Sequence, residues 1–130
     1  MQILAVDGGD QSLASQFAQL RDAGYEVTQT GTFETARRIL LDGSQHIDVL
    51  VTNLRLKAYN GLHLVSYTRS LCSRTAAIVV DRELDPVNEL EAHRFGAGYM
   101  SAHDAPEVLA ELVEAAIHEP RVNTLTPGTA

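Results

Sequence analysis

Short, branched apolar runs alternate with longer stretches of helical period along the chain, and this alternation restricts the fold more than any other feature. Ile3-Leu4-Ala5-Val6, Ile47 to Val51 and Ala76-Ala77-Ile78-Val79-Val80 are nearly uninterrupted, as expected of strands covered on both faces. Tyr25 to Gln29 alternates apolar and polar residues, which suits a half-exposed edge strand. Gly98-Tyr99-Met100-Ser101 is a weaker candidate for the other edge. Helical patterns fill the gaps between these runs.

The first helix is expected from Ser12 to Asp22, with Leu13, Phe17 and Leu20 on one stripe, Asp10 as candidate N-cap and Gly24 past its end. The second runs from Phe33 to about Leu41 behind Thr32 as N-cap, with Phe33, Ala36 and Leu40 inward. A third starts near Gly61, with Leu62, Val65 and Arg69 on its stripe. Asp85-Pro86 starts a fourth that closes before Gly96, and Asp104 and Pro106 repeat that signal for a fifth. Val108, Leu109, Leu112, Val113, Ala116 and Ile117 give the fifth the best amphipathic stripe in the chain. Five successive strand-helix pairs force right-handed crossovers and a parallel sheet with helices on both faces. The fold class is α/β, doubly wound, and five-stranded.

With 130 residues, 45% of them hydrophobic and 21% charged, the chain has the composition of one globular domain. That domain is expected over 1–118. Residues 119–130 have no periodicity and carry Pro120 and Pro127, so they read as a flexible tail or the start of a linker. Ten basic against seventeen acidic residues give a net charge of −7, which opposes the attraction to phosphates that supplies most nonspecific nucleic-acid affinity. No direct nucleic-acid binding is expected. The single cysteine, Cys72, forms no internal disulfide, which fits a reducing, cytoplasmic setting. The N-terminal residues carry no basic leader, and no apolar run approaches the roughly 18 residues needed to cross a bilayer. Neither a signal peptide nor a membrane anchor is expected.

In open parallel sheets, ligands and chemistry gather at the carboxyl ends of the strands. The residues there are Asp7, Gly8, Gly9 and Asp10 after the first strand, Asn53 after the third, Val80 and Asp81 after the fourth, and Ala102 after the fifth.

The stretch Asp48-Val-Leu-Val-Thr-Asn53-Leu-Arg-Leu-Lys-Ala-Tyr-Asn-Gly61-Leu resembles the central motif of bacterial response-regulator receiver domains. In that motif a strand ends at an aspartate, followed by an apolar-Arg-apolar-Pro-Gly-x-Asp-Gly-Leu run. Ile3-Leu-Ala-Val-Asp7 resembles the family's first strand and acidic turn, and Phe95-Gly-Ala-Gly-Tyr99-Met-Ser-Ala102 its fifth strand. The resemblance spans residues 2 to about 118 in a consistent order. It implies the flavodoxin-like (βα)5 receiver fold with strand order 2-1-3-4-5.

The same resemblance implies a degenerate phosphorylation pocket. Receivers take a phosphoryl group onto the aspartate that ends the third strand, with a metal ion spreading the charge. Asn53 stands there, and a neutral amide has no anionic oxygen to attack with. The second acidic position after the first strand is Gly8, which leaves Asp7 alone to hold magnesium, so no metal and no cofactor are expected. Ala102 replaces the lysine that neutralises the phosphoryl group. Lys57, the only lysine, falls where the family has proline and reads as a solvated loop residue. The hydroxyl after the fourth strand corresponds to Val80, which has no donor; a shift of one residue puts Asp81 there, which repels phosphate. Tyr99 matches the family's aromatic that moves between buried and exposed positions. It reads either as an edge tyrosine with a packed ring and a wet hydroxyl or as a recognition residue.

No other constellation competes. His46, His63, His93, His103 and His118 show no ligand spacing, and no serine sits in a nucleophile elbow. Gly8-Gly9 offers a possible anion cradle for a flavin mononucleotide, but Asp7 and Asp10 flank it and disfavour phosphate. Three functions follow as expectations. The first is a non-enzymatic, phosphorylation-independent regulatory module that binds a protein partner: an effector domain, a kinase, another regulator or a second copy through helix four, strand five and helix five. The others are a receiver with a non-standard acceptor (Asp7, Asp10 or Asp81) and a regulator gated by a small ligand in the emptied pocket.

Overall fold

The computed structural model describes residues 1–7, 13–42, 46–56, 59–71 and 74–118. The elements run β1 (Gln2–Val6), α1 (Ala14–Asp22), β2 (Glu26–Thr30), α2 (Phe33–Asp42) and β3 (Val49–Asn53). Then come β4 (Arg55–Leu56), β5 (Tyr59–Asn60), α3 (Gly61–Leu71), β6 (Ala76–Asp81), α4 (Pro86–Arg94), β7 (Gly98–Ser101) and α5 (Pro106–His118). A five-stranded sheet has the order β2-β1-β3-β6-β7, and every neighbouring pair in it is parallel. Counting sheet strands alone, this is the expected 2-1-3-4-5 order, and the class is doubly wound α/β as read from the sequence.

The uninterrupted runs are explained by burial on both sides of the sheet. Leu4, Val6, Leu50, Ala77 and Val79 face Ala36 and Leu40 of α2, Leu64 and Val65 of α3, and Ala92 of α4. Ile3, Ala5, Val49, Val51, Ile78 and Val80 face Phe17 and Leu20 of α1 and Leu109 and Val113 of α5. Because side chains alternate with a period of two, a strand covered on both faces has no position left for a polar residue until it emerges at its end.

Boundaries depart from the apolar runs where polar residues go on pairing. Thr52 and Asn53 stay in the β3 ladder opposite Val79 and Val80, and Asp81 extends β6 opposite Ser101. The short antiparallel pair β4–β5 lies where the sequence offers no pattern long enough to read. In α3 Val65 is buried as expected, together with Gly61, Leu64 and Thr68; Leu62 packs against the core only in part, and Arg69 donates to the Phe95 carbonyl. Thr68 is hidden because its Oγ1 donates to the Leu64 carbonyl at 2.7 Å, so a buried hydroxyl goes unpenalised.

The caps divide similarly. Thr32 Oγ1 accepts from Thr35 N at 3.2 Å, and Asp85 caps α4 by accepting from Val87 N and Asn88 N at 2.8 and 3.2 Å. Asp104 does not repeat that role as read: its carboxylate turns back to accept from Ser101 N at 3.0 Å, and α5 opens on Pro106. At the start of α1 the N-cap position is held by Leu13 with no side-chain cap bond; Asp10 lies outside the described residues. Residues 119–130 also lie outside them.

Candidate functional site at the carboxyl ends of the strands

Three of the sheet's carboxyl ends converge through polar side chains. Asp7, just past β1, is 5% exposed, and its Oδ2 accepts from Gln29 Nε2 at 3.2 Å. The Asn53 amide at the end of β3 donates through Nδ2 to the Asp7 main-chain oxygen at 2.7 Å. Next to it, Leu54 N donates to the Val80 carbonyl at 2.8 Å, which fastens the loop after β3 to β6. Gly61 lets α3 begin directly beneath: its N donates to Leu54 O at 2.6 Å, and a Cβ there would collide with the Asn53 carbonyl oxygen.

Val80 and Asp81 occupy different environments. The Val80 side chain is buried in the core shared with α1 and α5, so the side chain presented at the end of β6 on the α4 side is that of Asp81. This carboxylate is 4% exposed and has three donors. Arg82 N reaches Oδ1 at 2.8 Å, and Asn88 Nδ2 and the Tyr99 hydroxyl reach Oδ2 at 2.9 and 2.6 Å. Hydrogen bonds of this number are what a carboxylate requires to stay buried.

The Tyr99 oxygen also accepts from Asp85 N at 2.9 Å. Burial, reinforced by the hydrogen bond to Asp81, pushes the Tyr99 phenol up to about 12. Its ring packs against the core on the α4 side, so neither half of the group is simply wet. At the end of β7, Ala102 N donates to Asp81 O at 2.8 Å. The Ala102 carbonyl accepts from the buried Gln16 Nε2 of α1 at 3.3 Å, and the same nitrogen lies 3.4 Å from Asp104 O.

Of the sequence-derived site residues, Asp7 and Asn53 are joined directly and Ala102 joins the Asp81 main chain. Val80 is withdrawn into the core, Tyr99 belongs to the Asp81 cluster, and Gly8, Asp10 and Lys57 lie outside the described residues. Sequence reasoning did not single out Asn88, Asp85 as a partner of Tyr99, or Gln16. The available signal was the carboxylate of Asp81 sitting directly at the end of the most apolar run. Arg55 and Arg82 border an open cavity of about 410 Å3 together with Asp81, Glu83, Asp85 and Asn88, a lining with both charge signs.

Among the described residues, the strand ends are a poor fit for a divalent cation. Hard cations need several oxygen ligands in a near-octahedral cage, and no group of three His, Cys, Asp or Glu residues among the described ones is arranged to hold a metal. Asn53 turns an N–H donor towards Asp7, and Asp81 is already committed to three donors.

No family model matches the sequence, and no curated protein matches it. Solved structures do. A response regulator receiver domain protein from Clostridium thermocellum superposes with TM-score 0.80 at 22% identity, covering 89% of this chain and 93% of that one. This chain has the response-regulator receiver fold. A response regulator from Thermotoga maritima gives TM-score 0.79 at 18% identity over 91% of this chain and 98% of that one. The beryllofluoride-activated NtrC4 receiver domain dimer gives 0.81 at 17% over 89% and 95%. Within the receiver fold, the carboxyl ends of β1, β3, β6 and β7 here carry Asp7, Asn53, Asp81 and Ala102.

Proposed function

We propose that this domain is a regulatory module of receiver type that works by protein–protein contact, without catalysis and without taking a phosphoryl group. The observation that carries the reading is Asn53: its amide is a donor, committed at 2.7 Å to the Asp7 carbonyl. An in-line attack on phosphorus requires an anionic oxygen at that point. Ala102 contributes no cation to offset phosphoryl charge, and the buried Asp81 carboxylate opposes a second anion nearby.

Information then travels through shape. The face built by α4, β7 and α5 and centred on Tyr99 meets an effector domain, a kinase or another regulator, or a second copy of this chain. No described helix is long and apolar enough to cross a membrane, and the setting proposed is the cytoplasm. The acidic surface makes a protein, and not DNA, the partner of this domain.

Incubation with acetyl phosphate and magnesium, followed by intact-mass measurement and amide NMR, tests the reading. No mass gain and unmoved Asn53 resonances are expected. An acid-labile phosphoryl group on Asp7, Asp10 or Asp81 overturns it.

A further inference from the structure

The N-terminal half of helix α4 is held by polar contacts and hardly at all by apolar burial. Ala92 is the only residue of α4 that is buried, while Val87, Leu90 and the preceding Leu84 are 69%, 59% and 65% exposed. Phe95 and Ala97 pack against the core just beyond the helix, so only its C-terminal end has a hydrophobic anchor. A short helix with so little apolar contact is not stable by its own propensity.

Asp81 supplies the missing hold by two routes. One is direct, from Oδ2 to Asn88 Nδ2 in the first turn of α4 at 2.9 Å. The other passes through Tyr99, whose hydroxyl donates to Oδ2 at 2.6 Å and accepts from Asp85 N at 2.9 Å. Asp85 is the residue whose carboxylate caps α4. A carboxylate accepts from all the donors that face it, whereas an amide in its place has one acceptor oxygen and turns an NH2 towards at least one of them.

We propose that Asp81 is a built-in anionic anchor: its fixed carboxylate keeps Tyr99 inward and the first turn of α4 in one position, so that the α4–β7 face is displayed constantly. Asp81 is thus a positioning residue for the contact surface. The inference rests on the reading that the domain acts by contact in a single state, and it extends that reading by naming what sets the state.

Amide hydrogen exchange followed by NMR on the full chain tests it, using the parent protein, Asp81→Asn, Tyr99→Phe and the double variant. Asp81→Asn is expected to speed exchange of the amides from Val87 to Arg94 roughly tenfold or more, while Ile78 and Met100 in the strands keep their protection. Tyr99→Phe is expected to act on the same amides, and the double variant to exchange no faster than Asp81→Asn, because both remove one network. Unchanged exchange in α4 in both single variants, or simple addition of their effects, overturns the proposal. Should Asp81→Asn fail to fold, Tyr99→Phe removes one hydroxyl only and decides alone. Phosphoryl uptake from acetyl phosphate is a separate readout, so failure of the contact reading and failure of the anchor are told apart.

Discussion

The Tyr99 hydroxyl donates to the Asp81 carboxylate at 2.6 Å, diagonally across two neighbouring strands. In the β6–β7 register Val79 lies opposite Tyr99 and Asp81 opposite Ser101, so Tyr99 and Asp81 share the face of the sheet that α4 covers. A side chain two residues back along the adjacent strand is within reach of a long aromatic. The Tyr99–Asp81 pair is therefore a consequence of register, with no loop rearrangement needed to bring its two members together.

The stability that Tyr99 contributes is expected to vary with pH only at high pH. The folded protein holds its phenol at about 12, above the ordinary value of 10.0, so the unfolded chain loses this proton first. The contribution is fully present below pH 10 and is lost as pH rises through about 12. Urea unfolding of the parent and Tyr99→Phe across that window checks it: the parent's excess loss of stability above pH 10 should vanish in the variant.

Much of the fold was legible because double-sided burial leaves a direct imprint on composition. Ile78, Val79 and Val80 could be read as one buried strand without knowing its neighbours. The polar cluster was not legible in that way. Asp81, Asn88 and Tyr99 are far enough apart in sequence that only strand register and helix placement join them, and a charged residue ending an apolar run reads first as solvated. Asp104 shows a related limit: Asp-x-Pro is a sound helix-start signal, yet the carboxylate accepts from Ser101 N instead. Gln16 gave no signal, since a polar residue on a helix is ordinarily exposed.

Gly61 is expected to tolerate no side chain. A Cβ there would meet the Asn53 carbonyl oxygen in collision and Thr52 Oγ1 at 3.0 Å; the first is main chain of the β3 ladder and the second is fully buried, so neither has much room to yield. Gly61→Ala should cost about 1–3 kcal/mol, the range of overpacked sites, read as a fall in the urea midpoint. Gly24 offers the contrast. It has φ +98° with nothing within 4 Å of an added Cβ, so Gly24→Ala should cost about 1 kcal/mol from backbone strain alone.

Removing the cap of α4 should weaken the helix without touching the sheet. Asp85 accepts from Val87 N and Asn88 N, and loss of such a cap costs about 1 kcal/mol. Asp85→Ala is expected to lower the urea midpoint accordingly and to deprotect the first-turn amides in hydrogen exchange. Asp85→Ser, which keeps an oxygen at that place, should recover most of the loss.

An aspartate placed at position 53 should not confer phosphoryl transfer. The Asn53 Nδ2 donor at 2.7 Å from the Asp7 carbonyl becomes a carboxylate oxygen facing an acceptor, with no proton between them at neutral pH. Losing that hydrogen bond and setting a carboxylate oxygen against the carbonyl costs about 1–3 kcal/mol, so Asn53→Asp should unfold at lower urea than the parent at pH 7. Protonating the new carboxyl supplies a donor again, and the deficit should narrow as pH falls through the ordinary carboxylate range. Meanwhile Ala102 still provides no positive charge, and Asp81 remains a fixed anion held by Tyr99, Asn88 and Arg82 N. Intact-mass measurement after acetyl phosphate and magnesium should find Asn53→Asp unmodified; a stable phosphoryl adduct on residue 53 would mean that a carboxylate at this one position suffices for uptake.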